Sequence, residues 1–286
     1  MAVISTGVGY RGWCKVGDIM VPVTSCSLEK TPHPIKGEDL IHGSSGDNAA
    51  SPIHWAQGQN AYSGDIATRL FYNFWSTLKD WLINDRITGK TVMFTPNGAD
   101  AQTYTYSGVI INTATIDAAE GNNPVGLTMG CLATGRTTAG SGTAYPATTT
   151  ASGLNEAPLP YWRTKAAYSE GWGSGVEVVS WSIAVNNNAF VTYVLNNTQD
   201  PKWAQQGLLT ATGNVVLYNP AGVDIPTEGG QLTILLEFSS GNGTIVLPQI
   251  IWDSYPMPTV GPSAKVIRTM NFTAIGTDAA AAVTVT

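Results

Sequence analysis

"WAQGQNAYSGDI" (residues 55–66) returns later in the same chain as "WAQQGLLTATGNV" (203–215), matching Trp55 with Trp203, Gly58 with Gly207, Gly64 with Gly213, Asp65 with Asn214 and Ile66 with Val215. Similarity at long spacing is the mark of an internal repeat, and it decides the architecture before any single motif does. Upstream, "SCSLEK" (25–30) aligns with "SWSIAV" (180–185). Downstream, each copy runs into an Asn-Gly step, "TPNGAD" (95–100) and "SSGNGT" (239–244), set between strand-like runs as in a hairpin. Then "VIINTATIDAAEGNNPVGLTMGCLATG" (109–135) faces "QIIWDSYPMPTVGPSAKVIRTMNFTAIG" (249–276), with Ile110 and Ile111 on Ile250 and Ile251, Gly121 on Gly261, and "TMGCLATG" on "TMNFTAIG". Four blocks in one order describe a duplicated β unit.

Strand signals dominate both copies: β-branched and aromatic residues alternate and are punctuated by Gly, Asn, Pro and Ser, as in "IMVPVTSCSLEK" (19–30), "TYTYSGVIINTATI" (103–116), "VEVVSWSIAV" (176–185), "GQLTILLEF" (230–238) and "TIVLPQIIW" (244–252). One segment departs. In "LFYNFWSTLKDWLINDR" (70–86), Phe71, Phe74, Trp75, Leu78, Trp81 and Leu82 recur at helical spacing and predict an amphipathic helix packed on a sheet. The second copy carries only "YNPAGVDIPTEGG" (218–230) at that place, so the copies are not equivalent. The expected fold is mainly β, in two tandem β-sandwich or barrel domains over 1–135 and 175–286, with an extended Gly-, Thr- and Pro-rich connection at 136–174.

Composition narrows the function. Charged residues make up 12% of the chain against roughly a quarter in ordinary soluble domains. Wide neutral surfaces of this kind suit an assembly interface or a sugar-binding wall. A net charge of −6 and scattered basic residues argue against a general grip on nucleic acid. No apolar run reaches the ~20 residues of a membrane span, and "MAVISTGVGYRGW" (1–13) lacks a readable secretory signal, so the expectation is a soluble product of a cytoplasm.

Chemical motifs are few. "GVGYRG" (7–12) spells the dinucleotide fingerprint but neither follows a strand nor opens a helix. His33, His42 and His54 lack metal-pair spacing, and Cys14, Cys26 and Cys131 fit no zinc pattern and read as reduced thiols. Glu29, Asp39, Asp65, Asp117, Glu120 and Glu237 are dispersed, so no glycosidase pair is named. The expectation is no enzyme, no cofactor and no metal. A carbohydrate-binding or host-recognition module using exposed Trp and Tyr is the alternative, and a hydrolase with carboxylates converging in three dimensions is a weaker third.

Two tandem β units, each with a strand run, an Asn-Gly hairpin and a closing strand like "KVIRTMNFTAIG" (265–276), and a helix after the "SGDI" strand, resemble the tail tube proteins of long-tailed bacteriophages. The likeness spans nearly the whole chain; the helix missing from the second copy departs from the pattern. The resemblance implies a structural virion protein of the phage tail. Fused pairs of such domains would form trimeric, pseudo-sixfold rings that stack around a channel for genome ejection. The implied partners are further copies of the chain, with tape measure, tail terminator and distal tail proteins beyond them. DNA would pass without specific binding.

Strand alternation then assigns the channel wall. With Cys26, Leu28, Trp181, Ile183, Met270, Phe272 and Ala274 turned to the core, Ser25, Ser27, Glu29, Ser180, Ser182, Thr269, Asn271 and Thr273 face the lumen, free of Lys and Arg. Three chains at −6 each, −18 in all, give a ring the sign that avoids gripping phosphates. The long stretches 31–60 and 134–175 exceed ordinary connection lengths and are expected to order against neighbouring rings.

Overall fold

The computed structural model describes residues 13–36, 55–83, 89–95, 102–121, 123–139, 156–173, 175–195, 198–218, 229–253, 266–276 and 282–286. In chain order the elements of the first half are β1 (Trp13–Val16), β2 (Ile19–Val21), β3 (Val23–Cys26), β4 (Glu29–Lys36), β5 (Trp55–Arg69), α1 (Tyr72–Ile83), β6 (Lys90–Thr95), β7 (Thr103–Ala118), β8 (Gly126–Leu132) and β9 (Gly135–Ala139). After a 3-10 turn at Tyr161–Arg163 come β10 (Thr164–Tyr168), β11 (Glu177–Asn186), β12 (Phe190–Thr192), β13 (Trp203–Gln205), β14 (Thr210–Tyr218), β15 (Leu232–Glu237), β16 (Asn242–Leu247), β17 (Gln249–Trp252), β18 (Ile267–Ile275) and β19 (Thr284–Val285). Among the described residues the chain is mainly β, as its alternation predicts, with one α-helix where the helical spacing predicts it.

The largest sheet is antiparallel and runs β17–β18–β14–β11–β7. From the C-terminal half of β7 it continues through β8 and β5 to β3 and β4. The N-terminal half of β7 leaves this surface to pair with β6 and β9, and β6 leads on to β1 and β2. A second sheet, β10–β15–β16–β19, is built wholly from the later half.

The pairing register recurs between the halves. Cys26 lies opposite Ile66 and Ile66 opposite Met129; Trp181 lies opposite Val215 and Val215 opposite Met270. Gly64 opposite Cys131 returns as Gly213 opposite Phe272, and Glu29 opposite Ser63 returns as Ala184 opposite Thr212. The order β1–β6–β7–β9 likewise returns as β10–β15–β16–β19. One alignment slips by a residue: Ile111 pairs with Cys131, but Trp252, not Ile251, pairs with Phe272. A bulge between Ile111 and Thr113 adds Asn112 to the earlier half, which accounts for the slip.

Proline divides two runs that read as single strands. Pro22 separates β2 from β3, which join different parts of the fold, and Pro248 separates β16 from β17, which lie in different sheets. The Asn-Gly step at 242–243 also falls inside β16 rather than at the turn, which is formed by 238–241. Gly243 is placed there by packing: a methyl group on it would overlap the Trp75 indole. The other Asn-Gly step, at 97–98, and "GVGYRG" lie outside the described residues, as do Asp39, His42, His54 and Gly261.

The helix buries Phe74, Trp75, Leu78, Trp81 and Leu82, with Phe71 buried just before its start. Each such side chain contributes roughly 1.5–3 kcal/mol by leaving water. Trp81 Nε1 donates to the Val109 carbonyl at 2.8 Å, and Trp75 Nε1 reaches the carbonyl of Thr286 at 3.1 Å. The helix therefore packs between β7 of its own half and β16 and β19 of the other. A single apolar cluster takes in residues of both halves. The connection 136–174 supplies β10 and most of β9, and the Glu156 carboxylate accepts from the Asn73 amide at the helix N-terminus at 3.0 Å. No helix among the described residues is long and apolar enough to cross a membrane.

Candidate functional site

One face of the large sheet packs on the helix and the smaller strands; the other carries short polar side chains. A row crosses it through directly paired residues, Ile251–Thr273–Thr212–Ala184–Thr115–Thr128–Ala67–Ser25, spanning β17, β18, β14, β11, β7, β8, β5 and β3. A second row, Asn271–Asn214–Ser182–Asp117–Gly126–Arg69, runs beside it. The two halves meet in the middle of both rows, where β7 pairs with β11.

All eight residues expected on the wall lie on this face. Ser25, Ser27, Glu29, Thr269 and Asn271 are exposed, and Ser180, Ser182 and Thr273 are half-buried. Their inward neighbours Leu28, Trp181, Ile183, Met270, Phe272 and Ala274 are buried, and Cys26 is half-buried against the core. Strand alternation alone assigns this division. It missed the contributions of β5, β7, β8 and β14, among them Asp65, Asp117, Thr128, Thr212 and Asn214, which become legible only once pairing order is known. It also missed Arg69, the cation that ends the second row.

Close contacts hold the face flat to its neighbours. The Ser27 hydroxyl accepts from the Asp65 amide at 2.9 Å, and the Thr273 hydroxyl donates to the Asp253 carboxylate at 3.0 Å. A shallow depression lined by Thr113, Thr115, Asn186, Thr210 and Thr212 straddles the β7–β11 seam. Asp65 and Asp117 lie opposite Gly130 and Gly126, four residues apart on β8, or roughly 13 Å at strand rise. That is too wide for a pair of glycosidase carboxylates. Glu237 is engaged by Lys165 at 2.6 Å.

The three cysteines come together in the core from β1, β3 and β8. Cys14 donates to the Cys26 sulfur, which raises the Cys14 thiol and lowers that of Cys26, while burial pushes Cys131 up. Among the described residues no group of His, Cys, Asp and Glu side chains has the makings of a metal site.

The model of the phage tail tube protein family matches residues 38–283. The chain belongs to the phage tail tube protein family. It is a structural tail tube protein, a component of the virion tail, and that structural family points to a non-enzymatic role. None of the curated proteins matches it.

Proposed function

We propose that three copies of this tail tube protein close into a ring, that rings stack into a tube, and that the polar face lines the channel through which the genome leaves. The observation that carries the reading is the row from Ile251 to Ser25, which crosses both halves without a break. The recurrent registers support a duplicated unit, with β11 standing to β14 and β18 as β3 and β4 stand to β5 and β8. In this reading the two units are fused at the β7–β11 seam.

The same equivalence supplies the closure. β17 corresponds to Gly108–Ile111 of β7, directly before the stretch Thr113–Ala118 that pairs with β11, and Glu29–Thr31 of β4 correspond to Ala184–Asn186 at the end of β11, so the seam inside the chain serves as the template for a seam between chains that starts at the C-terminal end of β17. Among the described residues β17 has β18 as its strand partner, with Ile250 also donating to the Gly230 carbonyl at 2.9 Å on its other side, and β3 and β4 have β5 as theirs. Open edges are templates for pairing with another chain. Three chains joined edge to edge have no edge left. Two β units in each then give a threefold ring with pseudo-sixfold symmetry.

The chemistry of the wall suits passage. Ser, Thr, Asn and Ala offer DNA no counterion release, and Glu29, Asp65 and Asp117 repel phosphate, with Arg69 at the rim as the cation of the two rows. The carbohydrate-binding alternative loses support because Trp75, Trp81, Trp181 and Trp252 are buried, while the exposed Trp162 and Trp203 sit at opposite ends of the sheet. Mass photometry of the purified protein tests closure. Trimers and their multiples are expected; a species that stays monomeric at all concentrations contradicts it.

A further inference from the structure

The strands of the polar face end in two different apolar features. At the end of β11 marked by Asn186, the β12–β13 ribbon projects Phe190 (49% exposed) and Trp203 (44%), and the segment that leads from it into β14 adds Leu208 (78%). At the other end, beyond the turn joining β7 to β8, Pro124, Pro158, Pro160 and Trp162 wall a cleft of about 220 Å3, with Trp162 66% exposed. That volume falls below the roughly 300 Å3 of small-molecule pockets and suits a side chain.

Both features are built before anything binds. Asn187, itself buried, donates to the Leu82 and Ile111 carbonyls at 2.9 and 3.0 Å, and Asn188 donates to the Leu208 carbonyl at 2.6 Å. On the far side of the ribbon, Asp200 accepts from Asn60 at 2.7 Å and from the Tyr62 hydroxyl at 2.6 Å. The cleft is held by the Pro124–Pro160 bridge, by Val125 donating to Leu159 at 2.8 Å, and by Arg163 lying 5.5 Å from the Trp162 ring centre. Rigid aromatic and aliphatic anchors of this kind lose little entropy on docking and carry most of an interface's energy.

We infer that the β12–β13 ribbon of one ring docks into the proline-walled cleft of the next, so that the occupant of each is a second copy of this chain. The inference rests on the tube reading above. A projection at one end and a hollow at the other form a heterologous contact, and along the strand direction such a contact does not close on itself but repeats as a filament. Trp181 to Asn186 alone separates the two ends by roughly 17 Å, so neither feature reaches the other within one chain. Ring closure uses the edges of β17 and β4, and stacking uses the strand ends, so the two steps are separable.

Leu208→Asp and Trp162→Ala in the full-length chain test this by negative-stain imaging and sedimentation. Each variant is expected to form rings but to need at least about tenfold more protein to form tubes, the equivalent of one lost anchor. Mixed together, the two variants are expected to give paired rings that stop, because the intact ribbon of Trp162→Ala meets the intact cleft of Leu208→Asp and each outer end is blocked. Should Leu208→Asp fail to fold by circular dichroism, Phe190→Ser carries the same prediction. Tubes that form unchanged in both variants, or a mixture without paired rings, overturn the inference and leave the ring reading standing. Wild-type protein that forms neither rings nor tubes overturns both.

Discussion

Gly213 lies against the backbone carbonyl of Ser182 so closely that a methyl group on it would overlap the oxygen, and Gly64 meets Ser27 in the same way. Gly64 also holds φ at +152°, which a side chain rarely adopts. We therefore expect Gly64→Ala and Gly213→Ala each to lower stability by about 2–3 kcal/mol, Gly64→Ala by more. Urea midpoints would show it; two unchanged midpoints would mean the strands do not approach as described.

Trp81 is fully buried and satisfies the Val109 carbonyl. Trp81→Phe keeps much of the packing but leaves that oxygen bare, costing about 1–3 kcal/mol, whereas Trp81→Ala opens a cavity and costs about 3–5 kcal/mol. Equal losses in denaturant titrations would show that the hydrogen bond contributes nothing.

Asn187 joins the later half to the end of the helix and to β7 through two donated hydrogen bonds. Asn187→Leu removes both donors within the core and is expected to destabilise by about 2–4 kcal/mol. Hydrogen exchange should quicken in the β12–β13 ribbon more than in β5. Uniform quickening would contradict the anchoring role.

Burial raises the phenol of Tyr62, assisted by its hydrogen bond to Asp200 and by that carboxylate's charge; burial likewise raises Tyr106 and Tyr193. A group that holds its proton more tightly when folded stabilises the fold fully below its unfolded pKa, near 10 for tyrosine, and loses that contribution as pH rises through the folded value. Melting temperature is therefore expected to fall above about pH 10, and less steeply in Tyr62→Phe. A parallel fall in both proteins would remove Tyr62 from the account.

The face itself tolerates change. Thr128→Lys with Thr212→Lys, both exposed, is expected to shift stability by no more than about 0.5 kcal/mol per site. The added cations should slow DNA release from particles carrying the variant, most at low salt. Release at the wild-type rate would count against a lumenal position.

Much of this was legible in the sequence because it rests on short-range pattern. Alternation assigned Trp181, Met270 and Phe272 to the core and Ser25, Asn271 and Thr273 to the open face, and helical spacing found the buried stripe of α1. Long-range pairing was not legible. Nothing in "VEVVSWSIAV" says that β11 also pairs with β7, or that the helix of one half packs against β16 and β19 of the other. The roles of Asn187 and Asp200 are not legible either, because a polar side chain announces no distant partner. Pro22, Pro248 and the bulge at Asn112 were visible letters whose effect depends on which sheet each flanking segment joins.

A cryo-electron map of the assembled tube tests the central claim most directly. The account predicts three chains per ring, an unbroken sheet running from β17 of one chain onto β4 of the next, and Thr128 and Thr212 pointing into the channel. A tube whose channel is lined instead by the helix or by β15 and β16, with the polar face turned outward, would contradict it.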